Sequence, residues 1–295
     1  MTRKQIPTLA GILFIAVLLA FPLIYQGQDY DYVMHILITA FFYAILASSW
    51  SMLSGYAGQF SFGHMGFMAI GAYTTGLFCH YFWITSEPTG ICREFPFLGN
   101  WFVIVNPIGV TSTTLTQDCL RQAMEGWADS VRVTPMPIPL GIVLGTLAGG
   151  LAGFLVGLLV LRLRAAYLAL FTLGFSEILK AIISAEIDIT RGQAGLELPP
   201  LYREGVTLFG THFGPTDKIP PYYTMLALLL LCLGLLAWLA HSRFGLFVRA
   251  LREDPDAAAA LGVNTTKYKV LVFTFTTAMA AAAGAVQAQY IQIIT

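Results

Sequence analysis

Seven stretches of about twenty residues run almost without charge through this chain, and a stretch of that length and character can cross a lipid bilayer as one helix. They extend from Pro7 to Tyr25, Val33 to Leu53, Gly63 to Ile84, Ile138 to Leu161, Ala165 to about Glu186, Tyr222 to Ala240, and Val270 to Tyr290. None has the two-residue alternation of a membrane barrel strand, so helices are the remaining way to satisfy every backbone donor and acceptor inside lipid. The expected fold class is all-α, a polytopic membrane protein with about seven transmembrane helices. Composition agrees: of 295 residues, 57% are hydrophobic and 11% charged, which excludes a water-soluble globule. Seven spans use roughly 140 residues, leaving room for two sizeable loops but no separate soluble domain, so residues 1–295 read as one transmembrane domain. Sixteen Lys plus Arg balance sixteen Asp plus Glu. No basic face is left for a nucleic-acid backbone, and lipid is the expected surround.

The first run follows Arg3 and Lys4 but is longer than a typical signal-peptide core and is followed by no A-x-A-like site, so it reads as a membrane helix. A cytoplasmic amino terminus then puts Arg162, Arg164, Arg243, Arg249, Arg252, Lys267 and Lys269 on the same side as Arg3 and Lys4. The outer segments hold fewer basic residues over a greater length, and the positive-inside rule favours this orientation. Two outer loops result, 85–137 and 187–221, with a cytoplasmic loop at 241–269. Cys92 and Cys119 both lie in the first outer loop. In an oxidising compartment they either pair or remain two free thiols.

Gly141, Gly145, Gly149, Gly153 and Gly157 recur every fourth residue in the fourth run and expose a stripe of backbone that another helix can approach closely. Ala278, Ala280 to Ala283, Gly284 and Ala285 offer the same in the last run. The cluster Gly55-Tyr56-Ala57-Gly58-Gln59-Phe60-Ser61-Phe62-Gly63-His64-Met65-Gly66 has another character. So much glycine, with Ser61 and His64 among aromatics, predicts broken or re-entrant backbone lining protein or a watery path, against the plainer reading of a tight turn. Glu177 and Lys180, three residues apart in the fifth run, are close enough to meet on one helix face and brace the bundle.

Between the sixth and seventh runs, Phe244, Phe247, Val248 and Leu251 follow helical spacing and leave Arg249 and Arg252 free to face lipid phosphates or water. The chain then breaks at Asp254-Pro255 and restarts as Asp256-Ala257-Ala258-Ala259-Ala260-Leu261-Gly262. Asp254 suits the N-cap, Pro255 the first helical position and Gly262 the C′ position, which predicts a two-turn helix. So short a helix is not stable alone in water and needs a surface to dock on.

Asp256-Ala257-Ala258, three residues, then Gly262 resembles the EAA-x3-G loop by which permease subunits of bacterial ABC importers touch their ATPases, with Asp in place of Glu. The block Gly55 to His64, the stretch Leu161-Arg162-Leu163-Arg164-Ala165-Ala166-Tyr167, the block Thr172 to Ile178, and Arg249 to Asn264 resemble, in that order, the M-type permease of branched-chain amino-acid ABC importers. The resemblance covers the chain from about Val33 onward. It implies a complex in a bacterial inner membrane with a second homologous permease, two cytoplasmic ATPases and a periplasmic substrate-binding protein. On that reading ATP-Mg is held by the partner ATPases, this chain binds no cofactor or metal, and it catalyses no reaction. Its coupling loop comprises Arg249, Arg252, Asp254, Pro255, Asp256, Ala257, Ala258 and Gly262, and its candidate translocation path Gly58, Ser61, His64, Thr172 and Glu177. Related permeases serve urea and short amides as well as Leu, Ile and Val. Two departures stand out: the first outer loop is longer than is usual in the family, and the chain stops at Ile294-Thr295, where members continue, so a C-terminally truncated sequence is expected.

No Gly-Lys dipeptide occurs, so the chain carries no Walker A phosphate loop and energy for uphill transport has to come from a partner. The main rival is a secondary transporter or channel, which usually shows coupling-ion groups at the midplane. A membrane enzyme is disfavoured by the lack of H-E-x-x-H, C-x-x-C and G-x-S-x-G.

Overall fold

A computed structural model describes residues 5–24, 29–79, 81–84, 93–97, 100–104, 133–160, 165–186, 190, 192–203, 205–208 and 210–295. The first apolar run folds as helix α1 (Gln5–Ile24), and Pro22 within it removes the backbone N–H that the Leu18 carbonyl would otherwise accept from. The Tyr222 hydroxyl donates to that carbonyl at 2.7 Å, and the Tyr223 hydroxyl donates to the Leu19 carbonyl at 2.9 Å. Both tyrosines lie on α6 (Ile219–His241), so the proline defect of one helix is the attachment point of another.

Helix α2 (Tyr30–Ser51) runs on into a π-helical turn, Met52–Tyr56, after which residues 57–63 leave helical geometry before α3 (His64–Cys79) begins. Ala57, Gln59, Ser61 and Gly63 in this break are buried, as non-helical backbone in a membrane protein has to be. The third apolar run was expected to stay helical to Ile84. Instead it ends at Cys79, where the Arg203 Nη2 donates to the Cys79 carbonyl at 2.7 Å and places a cation at the helix C-terminus. Tyr81–Ile84 is strand β1, in keeping with the strand preference of aromatic and β-branched residues. It pairs antiparallel with β3 (Asn100–Ile104) and β4 (Val133–Pro135), and β2 (Arg93–Phe97) completes a sheet of order β2-β3-β1-β4. Cys92 and Cys119 lie outside the described residues; the described cysteines, Cys79 and Cys232, are buried and unpaired.

Helices α4 (Ile138–Val160) and α5 (Ala165–Ala185) follow. The segment after α5 carries three short strands, β5 (Leu196–Glu197), β6 (Val206–Leu208) and β7 (Thr211–Phe213). Beyond α6 come α7 (Arg243–Glu253), α8 (Pro255–Ala260) and α9 (Thr265–Ile291), then β8 (Ile293–Ile294), which pairs with β5. Asn264 caps α9, its Oδ1 accepting from the Lys267 amide at 3.0 Å.

The chain is a multi-pass membrane protein. Five stretches among the described residues, 30–56, 138–160, 167–185, 219–241 and 265–291, are long and apolar enough to cross a bilayer. The other two runs fold as α1 and α3, and α3, with 16 residues, covers only about 24 Å at 1.5 Å per residue against a hydrocarbon core of about 30 Å.

Helix α9 is the axis of the bundle. It packs against α4, α3, α2 and α6, and is buried almost continuously from Thr276 to Gln289. Glycine makes this possible: Gly141 and Gly145 of α4 abut Thr75 of α3, while Gly149 and Gly153 abut Ala281 and Thr277 of α9, and Gly157 is also buried. The opposite face of α4 presents Leu144, Leu147, Leu151, Leu155 and Leu159, all exposed, as suits a lipid surround. Phe67 ties α3 to both neighbours, with ring centroids 5.3 Å from Phe175 of α5 and 5.5 Å from Phe273 of α9.

Candidate coupling site

Helices α7 and α8 lie together at one end of the bundle, opposite the β-sheet. Helix α7 buries Gly245, Val248 and Leu251, and Phe244 and Phe247 lie 5.5 Å and 5.0 Å, centroid to centroid, from the ring of Tyr268 on α9. Sequence spacing left Arg249 and Arg252 free for lipid or water. In the structure both remain exposed, and each also has a partner on the bundle. Arg249 stands over the Tyr56 ring at 5.0 Å and donates to the Ala240 carbonyl at 3.2 Å, whereas Arg252 donates to the Gly55 carbonyl. The carbonyls and aromatic face at the end of the π-turn draw both guanidiniums back onto the bundle.

Asp254 breaks the chain in extended geometry (φ −150°, ψ 102°), and its carboxylate accepts from the amides of Asp256 at 2.9 Å and Ala257 at 3.0 Å. At the other end the Val263 amide donates to the Ala258 carbonyl (3.1 Å), the Gly262 amide to Ala259 (2.9 Å), and Gly262 has φ +85°. These two bonds are those of a Schellman motif. Ala258 is buried, while Asp256, Ala257, Ala259, Ala260 and Leu261 are exposed, Leu261 to 85%. The result is a small, bare, doubly capped helix held outward. Removing its N-cap costs about 1 kcal/mol, a roughly fivefold change in the equilibrium between closed and frayed forms. Asp254→Ala is accordingly expected to speed hydrogen exchange of the 256–260 amides severalfold while leaving α9 unchanged. Unaltered exchange there would show that the carboxylate does not hold the helix.

The segment that Arg252 grips continues into the candidate path. Gly58 has φ +63°, and a Cβ there would lie 3.2 Å from Arg252 Cγ, so the arginine stem lies against the backbone at a position suited to glycine. The Trp50 indole donates to the Ser61 carbonyl at 2.9 Å, and the Phe62 amide donates to Thr172 Oγ1 at 3.1 Å. Thr172 thus holds the Phe62–Gly63 turn between Ser61 and His64 where α3 meets α5, while Gly58 lies apart from it, against Arg252. Gln59 and His64 are both buried there, and neither the Gln59 amide nor the His64 ring nitrogens have a hydrogen-bond partner among the described residues. Buried polar atoms without partners are costly, about 1–3 kcal/mol each, and they suit a place where water or a polar solute sits in passing.

Glu177 is not part of this cluster. It and Lys180 are both exposed on α5, and no ion pair joins them, so the pair does not brace the bundle from within this helix. Sequence reading also missed Tyr56 and Gln59. The signal for Gln59 was present, since an amide inside a glycine-rich, apolar segment needs a partner wherever it is buried.

A family model described as "Branched-chain amino acid transport system / permease component" matches residues 32–295. The chain belongs to this family. Two curated relatives of this branched-chain permease family are each named "High-affinity branched-chain amino acid transport system permease protein LivM". The Salmonella typhimurium protein is 31% identical and the Escherichia coli protein 30% identical, in both cases over 91% of this chain and 54% of the relative. The chain therefore spans about half the length of the curated relatives it matches. No solved structure matches the chain. The family match begins near the start of α2 and takes in the π-turn, the 57–63 break and the whole α7–α8 unit.

Proposed function

We propose that this permease is a membrane-spanning subunit of an ATP-driven importer of leucine, isoleucine and valine. It would sit in a bacterial inner membrane with its amino terminus and the α7–α8 unit in the cytoplasm. Its partners are a second homologous permease, two ATPases and a periplasmic binding protein. ATP-Mg belongs to the ATPases; this chain supplies the path and binds no cofactor. The observation that carries the reading is the double attachment of α7 to the π-turn, through Arg252 on the Gly55 carbonyl and Arg249 on the Tyr56 ring. A displacement of α8 by an ATPase would reach α7 directly, and from α7 the two arginines transmit it to the segment carrying Gly58, Ser61 and His64. The exposed α8, with Leu246 and Leu261 bare beside it, supplies the face on which an ATPase docks. Urea, short amides or other amino acids are the alternative cargo.

Affinity purification from the native host in mild detergent is expected to recover a second permease and Walker A proteins. The recovered complex in liposomes should take up labelled leucine only with ATP and binding protein. A chain recovered alone that moves leucine without ATP overturns the reading in favour of a secondary transporter. Uptake of urea with no competition by leucine or valine would reassign the cargo.

A further inference from the structure

The membrane helix least covered by the rest of the chain is also the one that carries charge at depth. In the apolar core of the stretch 167–185 only 11% of residues are buried, against 33 to 78% in the cores of the other four membrane-length stretches. Helix α5 packs chiefly on α3, with Leu168 and Thr172 buried and Phe175 stacked on Phe67. The rest of its circumference is open. On that side lie Leu170, Leu173, Glu177, Lys180 and Ala181, all exposed, and neither charge has an ion-pair partner among the described residues.

Depth makes this informative. Helix α5 has 21 residues, so Glu177 lies about 3 Å past its middle and about 12 Å from its carboxyl end at 1.5 Å per residue. A glutamate side chain is too short to reach the interface from there, whereas Lys180, about 8 Å from the same end, has an apolar stem that can carry its ammonium outward. The exposed side of α4 shows what lipid accepts, leucines with no charge among them. An acid near the middle of a span, aimed away from its own bundle, is out of place in lipid and marks a surface that another polar group covers.

The choice of cover is narrow. Lipid headgroups lie too far out to meet Glu177. A second copy of this chain would lie in the membrane in the same orientation and bring Glu177 to the depth of Glu177, where like charges repel. Gly174 and Ala181 flank Glu177 on the same side of the helix, and a Cβ at Gly174 would meet nothing within 4 Å, which leaves room for another helix to come close.

We propose that the open face of α5 is an interface with a membrane-spanning helix of a different chain, which packs along Gly174 and Ala181 and presents a lysine or arginine to Glu177. The inference deepens the importer reading and rests on it for the identity of that chain, the second permease.

The test uses the permease in the complex that co-purifies with it in mild detergent. p-Benzoylphenylalanine in place of Leu173, one turn from Glu177, should on irradiation join this chain to a different polypeptide. Mass spectrometry should place the joined peptide in an apolar helix with a lysine or arginine within one turn of the crosslink. The same photoprobe in place of Leu147, on the lipid-facing side of α4, should give no adduct with that peptide. Glu177→Lys should lower recovery of the partner chain at least tenfold, with this chain still inserted and melting as the parent does. Glu177→Gln carries this arm if Glu177→Lys does not insert, with a severalfold loss expected. Combining Glu177→Lys with Lys180→Glu separates a partner from internal neutralisation. A pair that only balances itself is restored by the exchange, whereas a base on another chain still meets a lysine, so the double variant should stay as deficient as the single one.

Full recovery of the partner by the double variant, no crosslink from position 173, a crosslink within this polypeptide, or a crosslink to a second copy of it overturns the proposal. So does labelling of Ala181→Cys above the parent by a membrane-impermeant maleimide, which would put water rather than a helix on the face. Failure of the importer reading shows differently: the crosslink and the base opposite Glu177 are found, but no Walker A protein accompanies the pair and ATP drives no uptake.

Discussion

Gly71→Val is expected to abolish the folded bundle, measured as loss of the monodisperse peak on size exclusion in detergent. A Cβ at Gly71 of α3 would collide with the carbonyl oxygen of Ala281 on α9 and lie 2.6 Å from its carbon. On another side, a Cβ at Gly145 of α4 would lie 2.6 Å from the Gly71 carbonyl oxygen. The atoms that a Cβ at Gly71 meets are all main chain of Ala281, so no rotamer change relieves the clash and α3 and α9 have to separate. Overpacking costs about 1–3 kcal/mol where side chains can shift. Taking about 3 kcal/mol as the lower end here gives a roughly hundredfold loss in the folded-to-unfolded ratio. Gly234→Val on α6 is the control, since a Cβ there meets nothing within 4 Å; it should leave the peak unchanged. A Gly71→Val protein that runs and melts like the parent would show that the backbones are not in contact.

Gly262→Val should reduce ATP-driven leucine uptake at least tenfold while the amount of protein in the membrane stays the same. The two effects separate because a Cβ at Gly262 meets no atom within 4 Å, so nothing clashes, yet φ is +85°. For an L-residue the left-handed region costs about 1–2 kcal/mol, and a β-branched residue adopts it only as an outlier. A six-residue helix has little reserve against that. Gly262→Asn tests the mechanism, because asparagine tolerates the left-handed cap and should retain most of the uptake. Equal loss in both variants, with normal assembly, would move the fault from backbone conformation to a side-chain collision with the docked partner. Normal uptake in Gly262→Val would remove the docking role from α8.

How much of this was legible in the sequence depended on the range of the determining interactions. The caps of α8 are local: Asp254, Pro255 and Gly262 act within four residues, so their pattern could be read directly. The apolar runs gave the helices, because lipid leaves so few backbone solutions. The direction of Arg249 and Arg252 could not be read, because it depends on the carbonyl of Gly55 and the ring of Tyr56, almost two hundred residues away along the chain. Periodicity places a side chain on a face of its own helix but says nothing about what waits there. The end of α3 at Cys79 was missed for a related reason. Tyr81 to Ile84 is as apolar as a membrane helix, and only its strand partners, residues 101–104 and 133–135, decide otherwise.

The seam where α3, α4 and α9 meet has a consequence for how such a chain changes over generations. In an ordinary core a large-to-small substitution on one side can be answered by a small-to-large one on the other, so the two positions wander together. Where main chain touches main chain, as at Gly71, Gly145 and Gly284, there is nothing smaller than glycine to retreat to. At these three positions compensation is closed off, because a methyl group gained there meets main chain that no substitution can shorten. Divergence is left to the outward leucines of α4, which lipid accepts in almost any aliphatic form, and to the segments beyond the helix ends. A chain built this way can vary its coat freely while its spine stays fixed.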